Sequence, residues 1–385
     1  MRFEFATVSR IIFGPGTLRE VGPLAKDLGR RALVVTGRDT SRAEELLKIL
    51  NDHRVRSLTL AVPGEPEIET VQGGVALAKE EQCDIVIGFG GGSALDAGMA
   101  IAAMLTNNGE VLDYLEVIGQ GKTLTKPAMP FIAIPTTAGT GSEVTRNAVL
   151  GSSHHRVKVS LRSPFLLPKI ALIDPELTYD LPPSITASTG LDALTQLIEP
   201  YVSSRANPMT DAICVEGLRR AAGSLRVAFE KGPNATSARK DMAAASLFGG
   251  VALANAGLGA VHGFAGPIGG MFPAPHGAIC AVLLPNVMET NLRALRQREP
   301  KNPAISQYDS VARLLTGKSR TTADAGVDWV RKLVADLQIP PLRTYNITRE
   351  HTSEIVERAA TASSMKANPI VLTAVELAEV LERAL

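Results

Sequence analysis

At 385 residues the chain exceeds what one hydrophobic core comfortably organises, so two domains are expected. Its 45% hydrophobic and 21% charged residues are those of a globular protein, and a net charge of +1 provides no electrostatic pull toward nucleic acid or an anionic membrane. No apolar run has the length needed to span a bilayer. Met1-Arg2-Phe3-Glu4-Phe5 does not open a secretory signal, and Cys83, Cys214 and Cys280 are too scattered for a disulfide framework. A cytoplasmic protein with buried or incidental thiols is expected.

Residues 2–8 read as a first strand whose open edge could pair with a partner chain. Residues 31–36 (R-A-L-V-V-T) form a buried strand, 41–50 a helix, 57–62 another strand and 68–80 a helix. Next come a strand at 84–88, a glycine-rich turn, a helical run at 94–105 and a strand at 131–134. Strands alternating with helices of this length indicate a parallel sheet covered on both faces. From about Leu181 the pattern changes to long Ala- and Leu-rich amphipathic segments at 188–202, 208–222, 235–255, 323–337 and 352–360. The fold class expected is an α/β N-terminal dinucleotide-binding domain with a parallel sheet (1–178) and an all-α C-terminal domain (179–385), divided near Asp174-Pro175-Glu176-Leu177.

Two loops in the first half have phosphate-binding chemistry. Gly88-Phe89-Gly90-Gly91-Gly92-Ser93-Ala94-Leu95-Asp96 follows a strand and opens a helix. Its glycines let backbone N–H groups approach a pyrophosphate, and the helix N-terminus favours negative charge. The spacing departs from G-x-G-x-x-G, so a standard Rossmann domain is not implied. Pro135-Thr136-Thr137-Ala138-Gly139-Thr140-Gly141-Ser142-Glu143 offers small hydroxyls between glycines, suited to phosphate or ribose oxygens.

The helical half holds a candidate divalent metal site. Asp192 and Gln196 lie one turn apart on a helix, and His262 and His276, two of only six histidines, flank a glycine- and proline-rich break. A metal there could act as a Lewis acid on a carbonyl or alcohol oxygen. His154-His155 falls in a polar loop and reads as solvent-exposed.

In this order, these motifs resemble the iron-containing (group III) alcohol dehydrogenase family over nearly the whole chain. The resemblance is carried by Phe13-Gly14-Pro15-Gly16, G-G-G-S-x-x-D, P-T-T-A-G-T-G-S-E, Lys158, Asp174-Pro175-Glu176-Leu177, Gly190-x-Asp192-Ala193-Leu194 and Pro275-His276-Gly277. It implies a dehydroquinate synthase-like architecture, with hydride transfer in a cleft between a nucleotide domain and a metal domain, and a homodimer. Carried across, Gly91, Gly92, Ser93 and Asp96 should line the cofactor pyrophosphate, and Thr136, Thr137, Thr140, Ser142, Asn147 and Lys158 should complete the nucleotide site. Asp192, His262 and His276 fall on three of the family's four metal-ligand positions. The fourth, usually histidine, is Gln196, a weaker neutral oxygen donor, so this is an atypical member whose metal, Fe²⁺ or Zn²⁺, is held less tightly. Gly266 stands where many relatives carry a histidine assigned to proton relay, so the proton leaves through water or cofactor hydroxyls, or substrate occupies the space.

The strand before Gly37 is followed by Arg38, which could pair with a 2′-phosphate, and Asp39, which could serve NAD. The cofactor is NAD or NADP, with a lean toward NADP. Gly263, Phe264, Gly266, Met271 and Phe272 suggest a partly apolar pocket for a small alcohol or aldehyde. Three other readings remain open: a metal-free reductase resembling maleylacetate reductase, a dehydroquinate synthase, and a nucleotide-binding descendant without turnover. Dehydroquinate synthase needs a cluster of basic residues that the helical half does not show beside His262 or His276.

Overall fold

The computed structural model describes residues 2–385. The chain divides into two compact units. One comprises Thr7–Thr137 with Gly141–Thr178; the other comprises Tyr179–Leu385 with Ala138–Thr140 and the residues up to Ala6.

The first unit runs β1 (Ile11–Phe13), α1 (Val21–Leu28), β2 (Arg31–Thr36), α2 (Glu44–Asp52), β3 (Arg56–Ala61), α3 (Ile68–Glu80), β4 (Ile85–Gly90), α4 (Gly92–Met104) and α5 (Val111–Tyr114). It continues through β5 (Phe131–Pro135), β6 (Asn147–Ser152), β7 (Val157–Arg162) and β8 (Ile170–Ile173). Six strands make a wholly parallel sheet in the order β1-β8-β5-β4-β2-β3, while β6 and β7 form a separate antiparallel pair. Period-two alternation sends Leu33, Val35 and Val86 into one core with α4, and Val34, Ile85 and Ile87 into another on the opposite face. Burial on both faces explains why these strands read as continuous apolar runs. On the α4 side, a Cβ on Gly98 would lie 2.9 Å from the Phe131 ring and one on Gly88 at the same distance, so helix and sheet meet where neither carries a side chain.

The strand at 31–36 and the helix at 68–80 coincide with β2 and α3, and the strand predicted at 57–62 is β3, one residue earlier. The helix predicted at 41–50 begins as a 3-10 turn, Thr40–Ala43, before α2. The β6–β7 pair and the short strands β1 and β8 were not anticipated. The segments that carry the motifs around Gly16 and Asp174 meet at the end of β8. There the Gly16 and Glu176 N–H groups donate to Asp174 Oδ1 (3.1 and 3.0 Å) and the Leu18 N–H donates to Oδ2 (3.0 Å).

Residues 2–8 correct an expectation: they are not a strand. The Ala6 N–H donates to Asn255 Oδ1 at 2.7 Å and Asn255 Nδ2 donates back to the Ala6 carbonyl at 3.0 Å. A side-chain amide thereby satisfies the pair of backbone groups that a neighbouring strand would otherwise take.

The second unit is helical throughout: α6 (Pro183–Val202), α7 (Pro208–Lys231), α8 (Thr236–Ala256), α9 (Ala260–Met271), α10 (His276–Arg298), α11 (Ala304–Thr316), α12 (Ala323–Asp336), α13 (Thr352–Thr361) and α14 (Ala374–Ala384). One apolar core joins them, with Leu194, Leu197, Phe264, Ile268, Ile279 and Leu283 fully buried. Among the described residues no single helix is long and apolar enough to cross a membrane.

Candidate metal centre and nucleotide loops

The metal-site residues come from three helices of the second unit. On α6, Asp192, Gln196 and Glu199 follow one another at i, i+4 and i+7, a stripe of polar side chains on one helix face, and all three are buried. His262 lies in the first turn of α9, and His276 opens α10. The glycine- and proline-rich break expected between the histidines is confined to residues 272–275. Val261, Phe264, Ala265 and Ile268 bury one face of α9 at helical spacing, and that burial outweighs the poor helix propensity of the glycines around it.

The start of α9 is held from outside. The Val261 N–H donates to Glu199 Oε1 at 2.7 Å and the Ala260 N–H donates to Asn368 Oδ1 at 3.1 Å. These side chains satisfy N–H groups that a helix start leaves unpaired, and the Glu199 carboxylate places negative charge at the positive end of the helix. Gly259, the residue before the helix, has no room for a Cβ, which would sit 2.8 Å from Glu199 Oε1 and 3.0 Å from Asn368 Oδ1. The other Glu199 oxygen, Oε2, accepts the His262 Nδ1–H at 2.6 Å. A carboxylate only accepts, so this bond fixes the tautomer and leaves the Nε2 lone pair facing away from Glu199.

His262 Nε2 lies 3.4 Å from Asp192 Oδ1, and His276 Nε2 lies 3.6 Å from the same oxygen. Cys280 Sγ lies 3.8 Å from His262 Nε2 and 3.7 Å from His276 Nε2. One donor atom from each of Asp192, His262, His276 and Cys280 falls within 4.8 Å of the other three. Asp192 Oδ1 and Gln196 Oε1 are buried without a hydrogen-bond partner. A buried carboxylate oxygen with no donor is costly, and a divalent cation among these groups would relieve it.

Burial alone would push the Asp192 carboxyl and the Cys280 thiol up and both imidazoles down. The mutual attraction of the charges outweighs burial. Asp192 and Cys280 lie below their ordinary values, His276 lies above its own, and His262 lies well above. A cation would bind by displacing any protons held at these donor atoms.

The structure brings together Asp192, His262 and His276, as the sequence led us to expect. Two residues escaped that reading. Glu199 was signalled by its place three residues after Gln196 on the same helical face. Cys280, read as incidental, was signalled by standing one turn after His276. Phe264, expected to line a pocket, is fully buried in the helical core, and Gly263 is closed off by the Met365 side chain. A Cβ on Gly266, by contrast, would meet nothing within 4 Å.

The glycine loop sits at the C-terminal ends of β2, β4 and β5. Gly91 precedes α4 with no side-chain cap, so the first amides of that helix carry its positive end. A Cβ on Gly90 would lie 3.2 Å from the Gly37 nitrogen, and one on Gly91 would lie 3.4 Å from the Thr137 hydroxyl and methyl. Thr136 donates its N–H to the Gly90 carbonyl at 2.9 Å. Gly91, Gly92, Ser93, Thr136 and Thr137 are thus neighbours in the first unit; Thr140 belongs to the second unit, and Ser142 opens a 3-10 turn.

The remaining expected nucleotide residues have structural partners. Asp96 is buried and its Oδ2 accepts the Val149 N–H of β6 at 3.1 Å. Asn147 accepts from Arg162 Nε at 3.4 Å, and the Lys158 ammonium pairs with Glu65 at 2.8 Å. Arg38 Nε donates to the Pro63 carbonyl at 3.0 Å. The Asp39 carboxylate accepts from the Ser41 N–H and hydroxyl, and these bonds hold its carboxyl below the ordinary value.

Comparison with known proteins agrees with this construction. The profile of iron-containing alcohol dehydrogenases matches residues 8–175, and that of the C-terminal domain of the same family matches residues 186–385. A 1,3-propanediol dehydrogenase of Klebsiella pneumoniae is 35% identical over 99% of this chain and 98% of its own. The crystal structure of a 1,3-propanediol oxidoreductase superposes with a TM-score of 0.92 at 33% identity, covering 100% of both chains. A sulfoacetaldehyde reductase from Bifidobacterium kashiwanohense, solved in complex with NAD⁺, superposes with a TM-score of 0.86 at 27% identity, covering 100% of this chain and 99% of its own. The chain therefore belongs to the iron-containing alcohol dehydrogenase family and is an oxidoreductase acting on CH–OH groups.

Proposed function

We propose that the protein is a metal-dependent, NAD(P)-linked alcohol dehydrogenase or aldehyde reductase acting on a small alcohol or aldehyde. The observation that carries this reading is the buried, unpartnered Asp192 Oδ1 set within 3.6 Å of two imidazole nitrogens. When bound, a divalent metal would supply Lewis acidity toward the substrate oxygen, and the nicotinamide would carry the hydride. Asp192, His262 and His276 would hold the metal, Gln196 lies on the same helix side as Asp192, and Glu199 keeps the His262 lone pair available to the ion. The backbone amides after Gly91 would receive the pyrophosphate. Gly266 has no proton-carrying side chain one turn from His262, so the alcohol proton would leave through water or a cofactor hydroxyl. The names of the two relatives, a propanediol dehydrogenase and a sulfoacetaldehyde reductase, support a short substrate. The three free, buried cysteines are compatible with a reducing cytoplasm, and a homodimer is the assembly we propose by family likeness.

The test is elemental analysis of untagged protein purified anaerobically. About one metal per chain is expected. His276→Ala should lose it and lower kcat/KM by roughly 1000-fold, in line with the several kcal/mol a Lewis acid contributes. Protein that neither contains metal nor takes up added iron or zinc, yet reduces aldehydes at full rate, would rule out this reading in favour of a metal-free reductase.

For the nucleotide, we propose a preference for NADP. Arg38 lies two residues beyond the end of β2, with its guanidinium steadied by the Pro63 carbonyl, while the Asp39 carboxylate is engaged by Ser41. Arg38→Ala should lower kcat/KM for NADPH by about 10-fold, the worth of one charge-assisted hydrogen bond, and leave NADH unchanged. Equal loss with both cofactors would overturn the preference.

A further inference from the structure

We propose that Cys280 is a metal ligand in this protein, so that the metal is held by an Asp/His/His/Cys set and the site favours zinc over iron. The inference rests on the metal-dependent reading above and concerns which atoms bind.

Three observations carry it. Cys280 and His276 stand at i and i+4 on α10, which places both side chains on one helix face, and their donor atoms are 3.7 Å apart. The thiol is fully buried, and its sulfur is also 3.8 Å from His262 Nε2, the nitrogen that Glu199 leaves free. The third observation is the spacing of the whole set. A tetrahedral ion with bonds of about 2.0 Å to N or O and about 2.3 Å to S has donor–donor edges of roughly 3.3–3.6 Å. The Asp192–His262, Asp192–His276, His262–Cys280 and His276–Cys280 separations are 3.4, 3.6, 3.8 and 3.7 Å. No pair in the set exceeds 4.8 Å. The buried, unpartnered Asp192 Oδ1 points independently to a cation at the same place.

The donor chemistry agrees with the geometry. Asp192 and Cys280 as anions, with two neutral imidazoles, match the charge of a divalent ion, whereas Asp192 with two imidazoles and the Gln196 amide leave one positive charge buried. A thiolate is a softer donor than an amide oxygen and moves selectivity toward zinc. On this assignment Gln196 is dispensable for binding, and the loss of an imidazole at that position is made good by sulfur from α10.

The test uses the full-length protein loaded separately with Zn²⁺ and Co²⁺. X-ray absorption at the zinc edge should show one sulfur at about 2.3 Å, and the cobalt protein should show an intense thiolate-to-cobalt charge-transfer band in the near ultraviolet. Cys280→Ser should abolish both signals and weaken zinc binding by at least about 100-fold, the upper range for loss of a group that merely supports a ligand. Gln196→Ala should leave both signals in place. If Cys280→Ser binds poorly because it misfolds, the wild-type spectra decide the question alone. One zinc per chain in a shell of nitrogen and oxygen only, with no charge-transfer band, would overturn the inference and leave the metal-dependent reading standing. Failure to bind either ion would overturn both.

Discussion

Replacing Glu199 by glutamine is expected to lower metal affinity by about 10- to 100-fold, the usual cost of losing the carboxylate behind a histidine ligand. The reason is a conflict over hydrogen-bond roles. Glu199 accepts two bonds at once, from the Val261 N–H through Oε1 and from His262 Nδ1–H through Oε2. A glutamine has one accepting oxygen and one donating nitrogen. If the oxygen keeps Val261, the amide NH₂ faces Nδ1 and drives the imidazole proton onto Nε2, the atom that would bind metal on the proposed reading. If the amide turns over, the buried Val261 N–H at the start of α9 is left facing a donor, at a cost of about 1–3 kcal/mol. Either outcome harms the site. The measurement is competition of wild type and Glu199→Gln against a zinc chelator, with thermal unfolding of both in chelator as the control. Unchanged zinc affinity with lowered stability would reduce Glu199 to a helix-capping role.

Glu143 should govern the pH dependence of stability above acidic pH. It lies in the 3-10 turn Ser142–Val144 with only 1% of its surface exposed, and its Oε1 has no partner. Burial raises its carboxyl from 4.5 to about 7. Because the folded state holds this proton more tightly than the unfolded chain, stability is greatest below the unfolded value and falls as pH rises toward 7. At 1.36 kcal/mol per decade, the loss reaches about 3 kcal/mol once the folded group has ionised. Glu143→Gln removes the titration. The variant should match wild type near pH 4 and exceed it in stability by up to about 3 kcal/mol near pH 8. Urea unfolding of both proteins across that range provides the check, and curves that stay parallel would show that Glu143 does not titrate in this window.

How much of this was legible in the sequence depended on whether the signal was local. Strand β2 and helix α3 are written in runs of consecutive residues, and each was found to the residue. The strands β1 and β8 are three and four residues long, too short to show a period; β8 is fixed by pairing with β5 and β1 by pairing with β8. The hairpin β6–β7 packs against α4, which only the tertiary structure shows. Residues 2–8 have strand-like composition but take their partners from the side chain of Asn255, far along the chain. In the metal site, residue type found Asp192, His262 and His276. Helical spacing along α6 would have added Glu199, and spacing from His276 would have added Cys280 had α10 been recognised as starting there. The glycines and prolines before it concealed two helices with clear apolar faces.

The glycines around the metal site divide by what surrounds them. A Cβ on Gly277 would lie 2.3 Å from the Ser188 carbonyl oxygen, and one on Gly139 would lie 2.7 Å from the Thr189 side chain and 3.0 Å from its carbonyl. Gly259 is closed by Glu199 and Asn368. At these three places the tolerance for change is close to nil, because rigid backbone or the carboxylate that steadies His262 would have to move. Gly266, with empty space about it, carries no such constraint. Evolutionary drift and deliberate redesign therefore have an open position one helical turn from His262, where a side chain can be added while the packing around Gly139, Gly259 and Gly277 stays the same.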